Sequence, residues 1–153
     1  MYKKIMVPLD GSELAECVLP HVEAFIKGFN IPNVVLVRVV EPERSYRQED
    51  FTNPHILAER EEHRKAGAQD YLTQVANQLK QQGTIVNTEV LVGRVTENLA
   101  DYADKNDVDL ILIATHGRSG VTRWVRGSVA DKILRSSIVP VLIVRAPGSK
   151  GGI

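Results

Sequence analysis

Two short segments of the chain concentrate residue types that handle an anionic ligand. The first is Val7-Pro8-Leu9-Asp10-Gly11-Ser12, where an apolar run stops at a carboxylate, a glycine and a hydroxyl. The second runs from Ala114-Thr115-His116-Gly117-Arg118-Ser119-Gly120 through Val121-Thr122-Arg123-Trp124-Val125-Arg126 to Gly127-Ser128. Between Ala114 and Ala130 there is no acidic residue, while His116, Arg118, Arg123 and Arg126 bring basic side chains. Gly117, Gly120 and Gly127 let backbone N–H groups come close to a ligand. Ser128 stands where a helical pattern begins, so its hydroxyl and the first free N–H groups form an anion site. Glycine-rich backbone, a helix N-terminus and local positive charge together describe a polyphosphate cradle. The same composition also fits a glycine-rich connection whose arginines are merely solvated. It is not a P-loop, because neither G-x-x-x-x-G-K-S/T nor G-x-G-x-x-G occurs in the chain.

The remaining chemistry-bearing residues read more plainly. Asp10 also suits a turn, since Asp-Gly-Ser is favourable turn chemistry. His21, His55 and His63 have no metal-ligand partners at suitable spacing. The single Cys17 cannot form an intramolecular disulfide, reads as part of a buried helix face, and has no neighbouring base to make it a nucleophile. Trp124 reads as a packing or interface residue. The run Glu59-Arg60-Glu61-Glu62-His63-Arg64-Lys65 predicts a solvated helix face with i,i+4 pairs.

The elements that must position these segments come from alternating apolar patterns. Strands are predicted at Lys4–Leu9, Val34–Val40, Ile85–Leu91, Asp109–Ala114 and Val139–Arg145. The runs Val34-Val35-Leu36-Val37 and Leu110-Ile111-Leu112-Ile113 are continuous, as strands covered on both faces must be. Four helices fall between them. Their apolar stripes are Leu14, Val18, Val22, Phe25 and Phe29; Ala68, Leu72, Val75 and Leu79; Val95, Leu99, Tyr102 and Ala103; and Val129, Ala130, Ile133 and Leu134. Pro20 lies inside the first stripe and predicts a kink there. The β-α alternation predicts a single-domain α/β fold, an open parallel five-stranded sheet of order 3-2-1-4-5 with helices on both faces, Rossmann-like in type. In such sheets ligands bind outside the carboxyl ends of the strands where the order reverses. Here that crevice lies between the first and fourth strands, and the two segments above leave those strands. The polar, turn-rich stretch Glu41–Pro54 is expected to be a mobile excursion or a lid over the site.

Composition sets the outer limits. A chain of 153 residues fits one domain, and 43% hydrophobic with 25% charged residues is the balance of a soluble globular protein. Formal net charge is zero, so nothing global points to nucleic acid or a membrane. The N-terminal apolar run is too short for a signal peptide and no run approaches a membrane span, so the expected compartment is the cytoplasm. Residues 148–153 are expected to be a flexible tail beyond a domain of residues 1–147.

The opening Val7-Pro8-Leu9-Asp10-Gly11-Ser12 resembles the first signature of the universal stress protein family. Ala114-Thr115-His116-Gly117, nine residues, then Gly127-Ser128 resembles that family's nucleotide motif, G-x-x-G-x9-G-S/T. The closing Pro140-Val141-Leu142-Ile143-Val144-Arg145 resembles its last strand. The likeness covers nearly the whole chain and departs at the motif's first position, where Ala114 replaces glycine and adds a methyl beside the expected ribose. Arg38 stands where many members carry histidine, and no function is attached to it.

The resemblance implies an ATP-binding, nucleotide-dependent regulatory module in stress response. Its expected contacts are Pro8, Leu9, Asp10, Val39, Ala114, His116, Gly117, Arg118, Gly127, Ser128 and Val129. Among these, Asp10 would sit by the ribose or a phosphate-bound Mg²⁺, backbone groups at Val39 would read the adenine edge, and Gly117, Gly127, Ser128 and Val129 would hold phosphates. It further implies a homodimer through the last strand and a regulatory protein partner, with slow ATP hydrolysis at most rather than enzymatic turnover. Two rival readings are a scaffold of the same fold that has lost its nucleotide and an enzyme working through an adenylated intermediate. The second would need a substrate pocket that so short a chain has no second domain to supply.

Overall fold

The carboxyl ends of β1 (Lys4–Pro8) and β4 (Leu110–Thr115) are the frame of the site. The structure, a computed structural model, describes residues 1–42, 54–115 and 129–146. Within these, β1 is followed by a 3-10 turn (Ala15–Val18), α1 (Leu19–Phe29), β2 (Asn33–Val40), α2 (Pro54–Leu79), β3 (Ile85–Val92), α3 (Val95–Lys105), β4, α4 (Val129–Ser136) and β5 (Val141–Arg145). The sheet is five-stranded in the order β3-β2-β1-β4-β5 with every pairing parallel, as the alternation of patterns predicts.

Period-two alternation sends neighbouring residues of each central strand into two separate cores. Ile5, Val7, Val34, Leu36, Leu110 and Leu112 pack on one face with Val22 and Ile26 of α1 and Leu72, Val75 and Leu79 of α2. Met6, Val35, Val37, Ile111 and Ile113 pack on the other with Leu99 and Ala103 of α3 and Ala130 and Ile133 of α4. The buried residues among those described are all apolar save for atoms of side chains that reach out of the core, so hydrophobic burial dominates what holds the layers together.

Three details of the helices differ from the sequence expectation. Pro20 does not kink a helix; it lies in the first turn of α1, where an N–H would have no intrahelical partner to lose. The entry to α1 is 3-10, in which residues three apart share a face, so Ala15 rather than Leu14 is buried beside Val18. From Val18 the stripe continues through Val22 to Ile26, and Phe29 is 55% exposed, edge-on to Tyr2 with ring centroids 5.5 Å apart. Leu134 of α4 is likewise exposed, because that helix of eight residues turns Val129, Ala130 and Ile133 to the core and Leu134 away from it. Cys17 is half-buried rather than buried. The α2 stripe is buried as expected; of the charged run before it, Lys65 pairs with Glu62 at i,i+3 (3.4 Å), and Arg64 donates to the Glu41 carbonyl (2.7 Å). Most of the expected excursion, residues 43–53, and the expected tail lie outside the described residues.

Candidate functional site

Pairing between β1 and β4 stops at Met6↔Ile111, whereas β1 stays paired to β2 as far as Pro8↔Val37. Pro8 has no N–H to offer a neighbour, which suits the end of a ladder. Beyond that point the two strands part, and a cleft of about 310 Å³ opens at the reversal of strand order. Six of the expected contact residues line it: Pro8, Leu9, Asp10, Val39, Ala114 and Val129. His116, Gly117, Arg118, Gly127 and Ser128 lie outside the described residues.

The walls of the cleft are apolar. Val37 and Ile113 come from the strands, Val95 and Leu99 from α3, and Ala130 from α4. These residues read in the sequence only as core periodicity; their shared role as a pocket wall required the strand order and the tilt of α3. An apolar slot of this size suits an aromatic ring system, with polarity supplied at its rim.

The backbone of β2 supplies part of that rim. Leu9 N–H donates to the Val37 carbonyl (2.9 Å), so the polar groups of Val37 point toward β1. Val39 is two residues on and points the same way, but β1 has ended. Its N–H and C=O therefore face the cleft, a donor and an acceptor side by side.

Asp10 sits at the mouth on an Asx turn. Its Oδ1 accepts the Ser12 N–H (2.8 Å) and the Ser12 hydroxyl, while Ser12 Oγ accepts the Ala15 N–H (3.1 Å) and so caps the 3-10 turn. Gly11 makes the turn possible with φ of +89°. The turn function expected of Asp10 is thus real, and it uses one carboxylate oxygen. Oδ2 has no hydrogen-bond partner among the described residues.

Ala114 lines the cleft, yet strand alternation turns its methyl into the α1–α2 core rather than toward the α3–α4 wall. The residue that departs from the motif therefore adds its bulk to packing. Ala114→Gly is expected to leave ligand affinity within about twofold while lowering stability by roughly 1 kcal/mol, the cost of glycine in a strand interior. Calorimetric melting and a binding titration on the same variant check both halves. A large gain in affinity on removing the methyl would mean that it does obstruct the ligand.

Electrostatically, the site's surroundings are mixed. Burial is the main cause that pushes the Tyr71 phenol up to about 12, with the Glu16 and Asp10 carboxylates adding to the shift and Arg38 opposing it. Burial also raises the Cys17 thiol, away from the reactive thiolate. The first turn of α4 carries Asp131, whose carboxylate is offset by Arg135 at 3.7 Å. No group of three His, Cys, Asp or Glu side chains among the described residues is placed to hold a metal by itself, and no helix there is long and apolar enough to cross a membrane.

An open parallel α/β sheet with a crevice at its point of reversed strand order defines a domain of the doubly wound class. Residues 1–145 match the universal stress protein family, and the chain belongs to it. Universal stress protein MJ0577 of Methanocaldococcus jannaschii is 30% identical over 161 residues, covering 97% of this chain and 98% of that protein. Its solved structure superposes with a TM-score of 0.79 over 97% of this chain and 99% of the other. A universal stress protein solved in complex with cAMP shares the fold at 20% identity and a TM-score of 0.69, over 95% and 98% of the two chains. The universal stress protein from Archaeoglobus fulgidus in complex with dAMP does so at 21% and 0.61, over 93% and 97%.

Proposed function

We propose that this protein binds ATP in the β1–β4 cleft and acts as a nucleotide-dependent regulatory module in the stress response, working in the cytoplasm as a homodimer that engages a regulatory protein partner. The observation that carries the reading is the meeting of an apolar slot, the outward-facing Val39 peptide groups and the free Asp10 oxygen in one cleft. An adenine would fill the slot and use the Val39 donor and acceptor for its N6 and N1 edge. The ribose hydroxyls would meet Asp10. Phosphates would then extend toward the start of α4, whose first N–H groups have no partner within the helix. Two relatives of the same fold bind the adenine nucleotides cAMP and dAMP, in keeping with this choice of base.

A Mg²⁺ fits here as a passenger on the phosphates, neutralising their charge, with Asp10 as the acidic group among the described residues that line the cleft. Turnover is not part of the reading. No described residue besides Asp10 could act as a general base near the cleft, and Asp10 is assigned to the ribose.

Asp10 gives the direct test. ATP added to the wild type is expected to raise its melting temperature in a saturable way. Asp10→Ala should weaken ATP by about 1.5–3 kcal/mol, the range for a hydrogen bond to a charged group. Asp10→Asn keeps the acceptor that closes the turn and loses the charge, so a loss shared by both variants assigns the effect to the carboxylate. No thermal shift with ATP, in the presence or absence of Mg²⁺, would overturn the reading in favour of a scaffold that has lost its nucleotide.

A further inference from the structure

Arg38 leaves β2 between the two cleft-lining residues Val37 and Val39, so alternation sends it to the opposite face of the sheet, over α2. Its guanidinium nevertheless reaches the cleft's mouth from behind. A methyl placed on Gly11 would lie 3.0, 3.2 and 3.3 Å from Nη1, Cζ and Nη2 of Arg38. Three nearly equal distances mean that the guanidinium turns its face to the space a side chain at residue 11 would take. The same group lies over the ring of Tyr71 on α2, with Cζ 5.5 Å from the ring centroid. Among the described residues it makes no hydrogen bond or ion pair, and its contacts are with the Tyr71 ring and Gly11. Tyr71 is itself fixed beside the fully buried Leu72, and its hydroxyl is buried without a partner, so the ring and not the hydroxyl is the part in use.

We propose that Arg38 is a positioning residue for the nucleotide site: seated on Tyr71 and pressed against Gly11, its guanidinium fixes the Asp10-Gly11-Ser12 turn and so presents the free Asp10 oxygen to the ribose. This rests on the ATP reading above. The turn needs such support. It is exposed, closed by a single residue's side chain, and hinged on a glycine at φ +89°. A guanidinium is planar and weakly hydrated and packs flat on both a ring and a peptide, whereas a lysine ammonium is a hydrated point charge that offers no plane. Arg38 therefore links α2, on one face of the sheet, to a carboxylate that acts on the other.

The test measures binding of ATP and of 2′,3′-dideoxy-ATP, which lacks the hydroxyls Asp10 would meet, to the wild type, Arg38→Lys and Tyr71→Phe. Arg38→Lys is expected to weaken ATP by about five- to thirtyfold, the order of releasing one residue from a single backbone well, and to leave dideoxy-ATP within about twofold. Tyr71→Phe keeps the ring and should keep both affinities. Equal loss of both ligands in Arg38→Lys, which a merely structural role would produce, overturns the proposal, as does no loss at all. If the wild type binds neither nucleotide, the functional reading has failed, and the turn is then read directly by amide exchange in the ligand-free protein. Ser12 and Ala15, whose N–H groups bond within the turn, should exchange about tenfold faster in Arg38→Lys while Met6 in the core is unchanged. Unaltered exchange at Ser12 and Ala15 would show that Arg38 does not hold the turn.

Discussion

Gly127→Val is expected to abolish ATP binding, while Ser128→Ala only weakens it, by about 0.5–1.5 kcal/mol for a neutral donor. The two residues lie outside the described part of the chain, but the element they lead into is well defined. α4 starts at Val129, which lines the cleft, and Ala130 follows it into the wall. The N-terminus of this helix is therefore at the cleft's edge, where its first N–H groups have no partner within the helix and the positive end of its dipole favours an anion. Phosphates resting there need close approach to bare backbone. A valine at 127 would intrude whatever its charge, whereas the loss of one hydroxyl leaves the N–H groups in place. Adenosine, which has no phosphate, should be affected much less than ATP by either change. Titrations of both ligands against both variants check the pattern. If Gly127→Val reduced adenosine and ATP equally with the fold intact, the phosphates would not lie at α4.

The sheet order and the place of the cleft could be read from the sequence because they depend on period and sequence position alone. Continuous apolar runs at residues 34–37 and 110–113 belong to strands covered on both faces, and right-handed crossovers leave little choice of order. Once the order is set, the residues leaving β1 and β4 must face each other, which is why Asp10 and Ala114 were expected beside one crevice, whereas Val129 came only from the resemblance to the family's motif.

What stayed illegible is what depends on direction within an element. The 3-10 entry to α1 puts Ala15 rather than Leu14, and Ile26 rather than Phe29, beside the expected Val18 and Val22, while Phe25 is only partly buried, and no local signal announces it. The methyl of Ala114 belongs to the core and not to the cleft, a fact of strand parity that the motif comparison hides. Arg38 carried no weight as a sequence feature because its partners, Gly11 and Tyr71, are 27 and 33 residues away in the chain and on different elements. Contacts that join two faces of a sheet through a loop cannot be inferred from periodicity.

Light scattering at micromolar concentration is expected to give twice the chain mass, and Ile143→Asp to return it to a monomer. The prediction rests on the far edge of the sheet. Among the described residues β5 pairs only with β4, so its outer N–H and C=O groups form an open row there. Val141-Leu142-Ile143-Val144 is apolar throughout, yet only Val144 is buried and Ile143 is 36% exposed. Two more apolar residues stand close by in the chain, Ile138 at 86% and Leu134 at 51% exposed, and Leu134 belongs to α4 on the side of the sheet that Ile143 faces. A bare parallel edge with apolar flanks is an aggregation hazard unless something covers it. A second copy does so with the fewest assumptions, because pairing β5 with β5 about a two-fold axis satisfies both open rows at once. An aspartate at 143 would place two like charges near that axis and bury them, while costing the isolated chain little at an already exposed position. The variant should therefore keep its melting transition but lose its partner. A wild type that scatters as a monomer would refute the pairing. A dimer indifferent to Ile143→Asp would move the interface to another face.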